Sequence, residues 1–104
     1  MTLSKAMLIE RLANQHRDMQ LKDIESAVQL VLDAMVRSLA KGERIEIRDF
    51  GSFTVGLRKP RMVRNPKNGD VSEMPARHVV HFKPGKALRE RVDHSKETFP
   101  ILQD

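Results

Sequence analysis

The chain has 104 residues, with 19 lysines and arginines against 14 aspartates and glutamates, and a net charge of +5 at pH 7. This length predicts one small domain, and the lack of cysteine excludes disulfide bridges and thiolate metal sites. No apolar run approaches the roughly 20 residues that span a bilayer, and no signal-peptide pattern is visible, so we expect a cytoplasmic protein. Residues 48–91 hold eleven basic and four acidic residues, which predicts a localised surface for a polyanion.

Two helices are predicted in the N-terminal part. The first begins after the N-cap Ser4 and ends around 14–16. The second runs from 21 to 41, and Gly42 ends it as the C′ residue. Its apolar residues spread over more than one side of the helix. The first helix can cover one of these sides, and we expect a second copy of the chain to cover the other.

A three-stranded antiparallel sheet is predicted next. Residues 44–48 alternate between charged and apolar side chains, which places Ile45 and Ile47 on the core face of a first strand. A turn at 49–51 leads to a second strand with apolar residues at alternate positions up to Leu57.

The third strand and a last helix complete the predicted fold. The strand covers 78–82, Pro84 and Gly85 end it, and a short helix follows over about 86–92. The fold class is therefore α+β, with a single domain over 1–92 and a polar tail over 93–104.

A basic arm, defined as residues 58–77, connects the second and third strands and holds six basic and two acidic residues. Asn68-Gly69 predicts a tight type I′ turn at its tip, because both central residues of such a turn need positive φ. Pro66 lies beside the tip as a rigid apolar wedge. A basic ribbon with such a wedge suits the DNA minor groove, where apolar side chains inserted between base steps kink the duplex.

No pattern of a catalytic or metal site accompanies the arm. His78 and His81 place two imidazoles at nearby strand positions, but no carboxylate or thiol pattern completes a metal site. The sequence has no Ser/His/Asp set, no paired carboxylates in a plausible cleft and no phosphate-cradling glycine loop. We therefore expect no enzyme activity, no cofactor and no small-molecule substrate.

Three segments resemble the bacterial HU and integration host factor family of DNA-bending proteins, and the resemblance covers about residues 4–92. They are Asp49-Phe50-Gly51-Ser52-Phe53, Arg64-Asn65-Pro66-Lys67-Asn68-Gly69 and His81-Phe82-Lys83-Pro84-Gly85-Lys86. This family is itself a standard example of minor-groove benders and β-ribbon readers, so its docking mode is implied by the resemblance alone. The resemblance implies an intertwined dimer whose two arms wrap double-stranded DNA, in support of recombination, transcription, translation, replication and nucleoid organisation.

The resemblance also assigns roles to individual residues. Pro66 is implied to intercalate between base pairs, with three neighbours, Arg64, Asn65 and Lys67, at base edges or phosphates in the minor groove. Further basic residues are implied to contact phosphates and to set the salt dependence of binding; they are Arg58, Lys59, Arg61, Arg77, Lys83 and Lys86.

Residues 42–48 resemble a subunit of integration host factor rather than HU. Arg48 is implied to reach the minor groove, where arginine is attracted to narrow A·T-rich segments, and Glu46 is implied to support it. The implied partner chain is an alpha-type subunit in a heterodimer, with a homodimer as the alternative. Two features depart from the family: Asp49 stands where glycine is usual, and the tail is longer than the family core.

Three other interpretations remain open at this point. The first is an HU-like homodimer with little sequence preference. The second is a protein-interaction module whose basic hairpin docks on an acidic protein. The third is RNA binding, although the wide minor groove of A-form duplexes does not suit this arm.

Overall fold

The computed structural model describes residues 2–100, which form three helices and five strands. In chain order they are α1 (Lys5–Gln15), α2 (Leu21–Ala40), β1 (Ile45–Ile47), β2 (Gly51–Arg58), β3 (Arg61–Arg64), β4 (Val71–Met74), β5 (Arg77–Pro84) and α3 (Lys86–His94). The α+β fold class and the predicted order of elements are confirmed. The described residues divide after Arg37 into two compact units. No helix in this part of the chain is long and apolar enough to cross a membrane.

Helix α1 begins where the sequence predicts. The Ser4 side chain caps it, because its Oγ accepts a hydrogen bond from the backbone N–H of Met7 at 3.2 Å. Such a cap satisfies one of the free amides of the first turn and contributes about 1 kcal/mol. At the other end, the backbone N–H of His16 donates to the carbonyl oxygens of Leu12 and Ala13.

Helix α2 buries one side and exposes another. Ile24, with 4% of its surface exposed, is the one buried hydrophobic side chain of the described chain, and the Lys5 side chain of α1 donates to the Gln29 side chain of α2. In contrast, Leu30, Val31 and Val36 are 65%, 60% and 64% exposed. The helix therefore has the uncovered apolar surface that a second chain is expected to cover.

The end of α2 is fixed by a glycine. Gly42 has φ +79°, and its backbone N–H donates to the Leu39 carbonyl oxygen at 2.9 Å. The next N–H, that of Glu43, reaches back to the Ser38 carbonyl oxygen at 3.0 Å. This pair of bonds is the Schellman motif, which needs a left-handed C′ residue. The predicted role of Gly42 is confirmed.

Strands β1, β2 and β5 form an antiparallel sheet in the order β1-β2-β5. Phe53 and Phe82 are directly opposite in β2 and β5, with ring centroids 4.7 Å apart, and the Phe50 ring lies 5.6 Å from that of Phe82. Gly51 is required here, because a Cβ atom would lie 2.6 Å from the Lys83 carbonyl oxygen. Aromatic packing thus fixes the end of the sheet that adjoins α3.

The first strand is shorter than predicted, because Arg48 enters a turn. The backbone N–H of Phe50 donates to the Ile47 carbonyl oxygen at 3.0 Å, which closes a four-residue turn. Asp49, its third residue, has φ +67° and is the one non-glycine residue at positive φ in the described chain. A positive φ at this position is the mark of a type II turn. The turn lies one residue earlier than predicted, at 48–50, because Gly51 already belongs to β2, and Asp49 has a conformation that favours glycine.

Helix α3 extends two residues beyond the predicted end at 92. It continues to His94 and is followed by the C-cap Ser95, whose Oγ donates to the Val92 carbonyl oxygen at 2.8 Å. The predicted domain boundary after 92 therefore falls inside the last turn of this helix, and residues 101–104 of the tail lie outside the described residues.

We expect Gly42→Ala to lower the free energy of unfolding by about 1–2 kcal/mol, the cost of a left-handed backbone for a residue with a Cβ atom. The space around Gly42 is open, so the cost comes from φ and not from a clash. Gly56→Ala is the matched control, because Gly56 also has open space but no positive φ. Chemical denaturation at fixed protein concentration measures both, and equal effects of the two variants would contradict the assignment.

Candidate nucleic-acid interface

The pairing of β2 with β5 sorts their side chains onto two faces. Directly opposite residues share a face, and the faces alternate along the strands. One face is mainly apolar and holds the pairs Phe53–Phe82, Val55–Val80 and Leu57–His78. The other is mainly polar and holds the pairs Ser52–Lys83, Thr54–His81, Gly56–Val79 and Arg58–Arg77. Lys83, Arg58 and Arg77 thus lie on the same face of the sheet.

Arg58 and Arg77 are directly opposite each other in the last pair of this ladder. Like charges at such positions destabilise a sheet. Both residues are exposed, and neither forms an ion pair within the described chain. An anion placed between the two guanidinium groups would remove their repulsion, and a DNA phosphate is such an anion.

The arm is interrupted between its base and its outer part. Arg61 is the next residue to pair, with Met74, in a separate two-stranded sheet of β3 and β4. The unpaired positions between the two sheets are Lys59, Pro60, Pro75 and Ala76. Each side of the arm thus has a proline between its two strands, at a position where a ladder would need an N–H that proline lacks. The predicted two-stranded ribbon is present as β3 and β4, and this break separates it from the main sheet.

Basic side chains lie on both faces of the outer arm. Arg61 and Arg64 are three residues apart in β3, so the alternation of a strand directs them to opposite faces. Their partners across the ladder are Met74 and Val71. A ribbon with cations on both faces can contact the two phosphate chains that border a groove.

The tip differs from the predicted turn. It is a six-residue loop, because β3 ends at Arg64 and β4 begins with its partner Val71. Gly69 has φ +75°, but Asn68 has no positive φ, so a type I′ turn at 68–69 is wrong. The side chain of Asn68 instead accepts a hydrogen bond from the backbone N–H of Asp70 at 2.9 Å. Asparagine thus shapes the loop through its side chain rather than through a left-handed backbone.

Asn65 organises the loop around Pro66. Its backbone N–H donates to the Asp70 carbonyl oxygen at 2.7 Å, and its own carbonyl accepts from Gly69 at 2.8 Å. Its side-chain Oδ1 accepts from the backbone N–H of Lys67 at 2.9 Å. Pro66 therefore lies between Asn65 and Lys67, and the hydrogen bond from the Lys67 N–H to the Asn65 side chain links these two neighbours. The Asn65 amide nitrogen keeps its donors for an external acceptor.

A second basic surface, which we call the basic concavity, lies where β1, β2 and β5 meet α3. It is a depression of about 420 Å³. Its lining includes five cations and two carboxylates: Arg44, Arg48, Lys83, Lys86, Arg89, Glu46 and Asp49. The structure thus brings together four of the predicted site residues, Glu46, Arg48, Lys83 and Lys86, away from the tip.

Two cations of the basic concavity, Arg44 and Arg89, are absent from the predicted site. The spacing of each from other charged residues in the sequence could have identified it. Arg44 precedes Glu46 by two positions and Arg48 by four, so a strand directs all three to one face. Arg89 follows Lys86 by three positions, so the two are neighbours on one side of α3.

The predicted DNA-contacting cations are almost all free of intramolecular partners. Within residues 2–100, ion pairs at 4.0 Å or less form between Lys86 and Glu90 and between Lys96 and Asp93. The first, at 3.9 Å between side chains 81% and 60% exposed, is an i,i+4 pair that water screens strongly. The remaining cations of the arm and the concavity are available to an external polyanion.

His78 and His81 do not form a pair. They are opposite Leu57 and Thr54, on different faces of the sheet. No group of three potential metal ligands among histidine, cysteine, aspartate and glutamate occurs in the described part of the chain.

Comparison with known proteins places this geometry in a family. The family model described as "Bacterial DNA-binding protein" matches residues 3–93. The chain is 53% identical over 91 residues to integration host factor subunit beta of Psychromonas ingrahamii, covering 88% of this chain and 96% of the relative. It is 51% identical over 102 residues to the subunit of the same name in Herminiimonas arsenicoxydans, covering 98% of this chain and all of the relative. The 102-residue alignment includes most of the tail at 93–104.

Solved structures of HU proteins are also similar to this chain. A cocrystal structure of Anabaena HU with DNA has a TM-score of 0.77 and 30% identity, covering 86% of this chain and 96% of that one. HU from Thermotoga maritima has a TM-score of 0.59 and 32% identity, covering 86% and 97%. The chain belongs to the bacterial DNA-binding family of HU and integration host factor: it is an architectural DNA-binding protein that works as a dimer, and it is not an enzyme.

Proposed function

We propose that this chain bends duplex DNA through the minor groove and holds the bend with its basic surfaces. The observation that carries the proposal is the tip loop, in which Pro66 lies at the end of a basic arm between Asn65 and Lys67. The relatives named integration host factor subunit beta, and the Anabaena HU structure that contains DNA, support the same activity.

Pro66 is the intercalating residue in this proposal. It is exposed, and the hydrogen bonds of Asn65 restrain the loop on both sides of it. A restrained apolar ring can enter between base pairs with little loss of conformational freedom. HU and integration host factor are themselves standard examples of minor-groove binders that insert such wedges. Smooth bending of a short site costs on the order of 1–6 kcal/mol, so the favourable interactions between protein and DNA must outweigh that cost.

The other predicted site residues divide into two groups. At the tip, Arg64, Asn65 and Lys67 contact the minor groove beside the kink. Nearer the body, phosphate contacts come from Arg58, Lys59, Arg61, Arg77, Lys83 and Lys86. In the basic concavity, Arg48 enters the minor groove on the flanking DNA, with Glu46 beside it in the same depression.

The second subunit covers the apolar surface that one chain leaves exposed. We propose an alpha-type chain as the natural partner, because the matched relatives are beta subunits by name. A homodimer with weaker sequence preference is the alternative. With DNA as its ligand, the dimer acts at the bacterial nucleoid, where it supports recombination, transcription and replication.

Pro66→Ala should bind DNA but bend it less, because the phosphate contacts remain and the wedge is lost. Ligase-mediated ring closure of a duplex of about 100 base pairs measures bending directly, since this is shorter than the persistence length of about 150 base pairs. We expect wild-type protein to promote ring closure and Pro66→Ala to promote it much less at equal occupancy. Pro100→Ala, which changes a proline outside the arm, is the control. Equal ring closure by Pro66→Ala and wild type would refute the wedge.

Arg77→Gln should weaken binding similarly on different sequences and reduce the slope of log K against log salt by about 1, the contribution of one phosphate contact. Lys96→Gln is the matched control, because Lys96 already pairs with Asp93 at 3.3 Å. The measurement is a salt titration of binding to two unrelated duplexes. An unchanged slope for Arg77→Gln would remove Arg77 from the phosphate contacts.

The midpoint of thermal unfolding should rise with protein concentration, because a dimer that covers α2 is favoured by mass action. Sedimentation equilibrium of the chain, alone and mixed with an alpha-type chain, then identifies the preferred dimer. A midpoint that does not change over a hundredfold range of concentration would show that the exposed apolar surface of α2 is not a subunit interface.

A further inference from the structure

We propose that Asp49 limits the sequence-independent affinity of this protein for DNA, by placing a negative charge inside the basic concavity. The inference rests on the proposed function, because it concerns how that same surface holds DNA phosphates. It assigns to Asp49 an effect opposite to that of the five cations of the basic concavity.

The backbone turn places Asp49 at the wall of the basic concavity. The residue is at the third position of the turn closed by the Phe50 N–H and the Ile47 carbonyl, with φ +67°. This turn forms part of the wall of the basic concavity, and Asp49 is one of its lining residues. A left-handed backbone is unfavourable for residues with a Cβ atom, although aspartate tolerates it better than most. The position therefore carries a charged side chain where glycine would be easier to accommodate.

The carboxylate is not neutralised by a neighbour. Asp49 makes no ion pair within 4.0 Å in the described chain, although Arg48 and Lys86 line the same depression. Asp49 is also exposed to solvent. A phosphate that enters the concavity thus meets the carboxylates of Glu46 and Asp49 as well as the five cations.

The size of the effect follows from Coulomb's law. Two unit charges at 4 Å interact by about 1 kcal/mol in water, and proportionally less at longer distance. Salt screens this repulsion over about 10 Å at 0.1 M. Asp49 should therefore weaken binding of any duplex severalfold at low salt and by less as the salt concentration rises.

Asp49→Asn is the direct test, because asparagine has nearly the same shape and also tolerates positive φ. The probe is a mixed-sequence duplex, titrated with the 104-residue chain between about 50 and 200 mM salt, a range over which phosphate-dependent affinity changes strongly. We expect Asp49→Asn to bind about two- to fivefold more tightly at the low end, with a smaller gain at the high end. Asp49→Gly, which also removes the charge, should give a similar gain.

Glu43→Gln is the matched control. Glu43 is an exposed carboxylate in the same compact unit, but it does not line the basic concavity. An equal gain from Glu43→Gln would overturn the inference, because overall charge would then explain the effect. Unchanged or weaker binding by Asp49→Asn, with an unchanged unfolding midpoint, would also overturn it. Failure of wild-type protein to bind the duplex would instead refute the proposed function itself.

Discussion

The antiparallel ladder between β2 and β5 is the constraint on which the other features depend. Its eight pairs run from Gly51–Pro84 to Arg58–Arg77. At the Gly51–Pro84 end, the lack of a side chain on Gly51 leaves room for the Lys83 backbone and the Phe82 ring. The chain then continues into α3 beside the basic concavity. At the other end, the ladder brings two arginines together and starts the arm. A shift of β5 by one residue would move its cations Arg77 and Lys83 from the polar face to the apolar face.

A single chain leaves two kinds of surface without a partner, one apolar and one basic. Apolar side chains of α2 such as Val31 and Val36 are mostly exposed, and Ile24 is the one buried hydrophobic side chain of the described chain, which suits a second subunit. The cations of the arm and the concavity largely lack intramolecular counter-charges, which suits a polyanion. We infer that dimerisation supplies the missing core and leaves the basic surfaces for DNA.

Local rules predicted the elements, but not the contacts between distant segments. Ser4 and Gly42 act as helix caps because a single residue type satisfies a free terminal amide or permits a left-handed backbone. The tip loop was mispredicted because Asn65 and Asp70 close it through bonds that the Asn-Gly pair does not reveal. Arg44 and Arg89 were missed because a sequence pattern shows each on its own element, and only the fold brings them into one depression. The roles of the predicted site residues remain proposals.

The central claim is that the dimer brings distant parts of one duplex together. Fluorescence energy transfer between the two ends of a duplex of about 35 base pairs, slightly longer than a typical bent site of roughly 20–30, measures this most directly. The account predicts that transfer rises when wild-type protein is added, alone or with an alpha-type chain, and falls again as salt releases the phosphate contacts. Binding without any rise in transfer, under both conditions, would contradict it and would favour a basic hairpin that docks on an acidic protein.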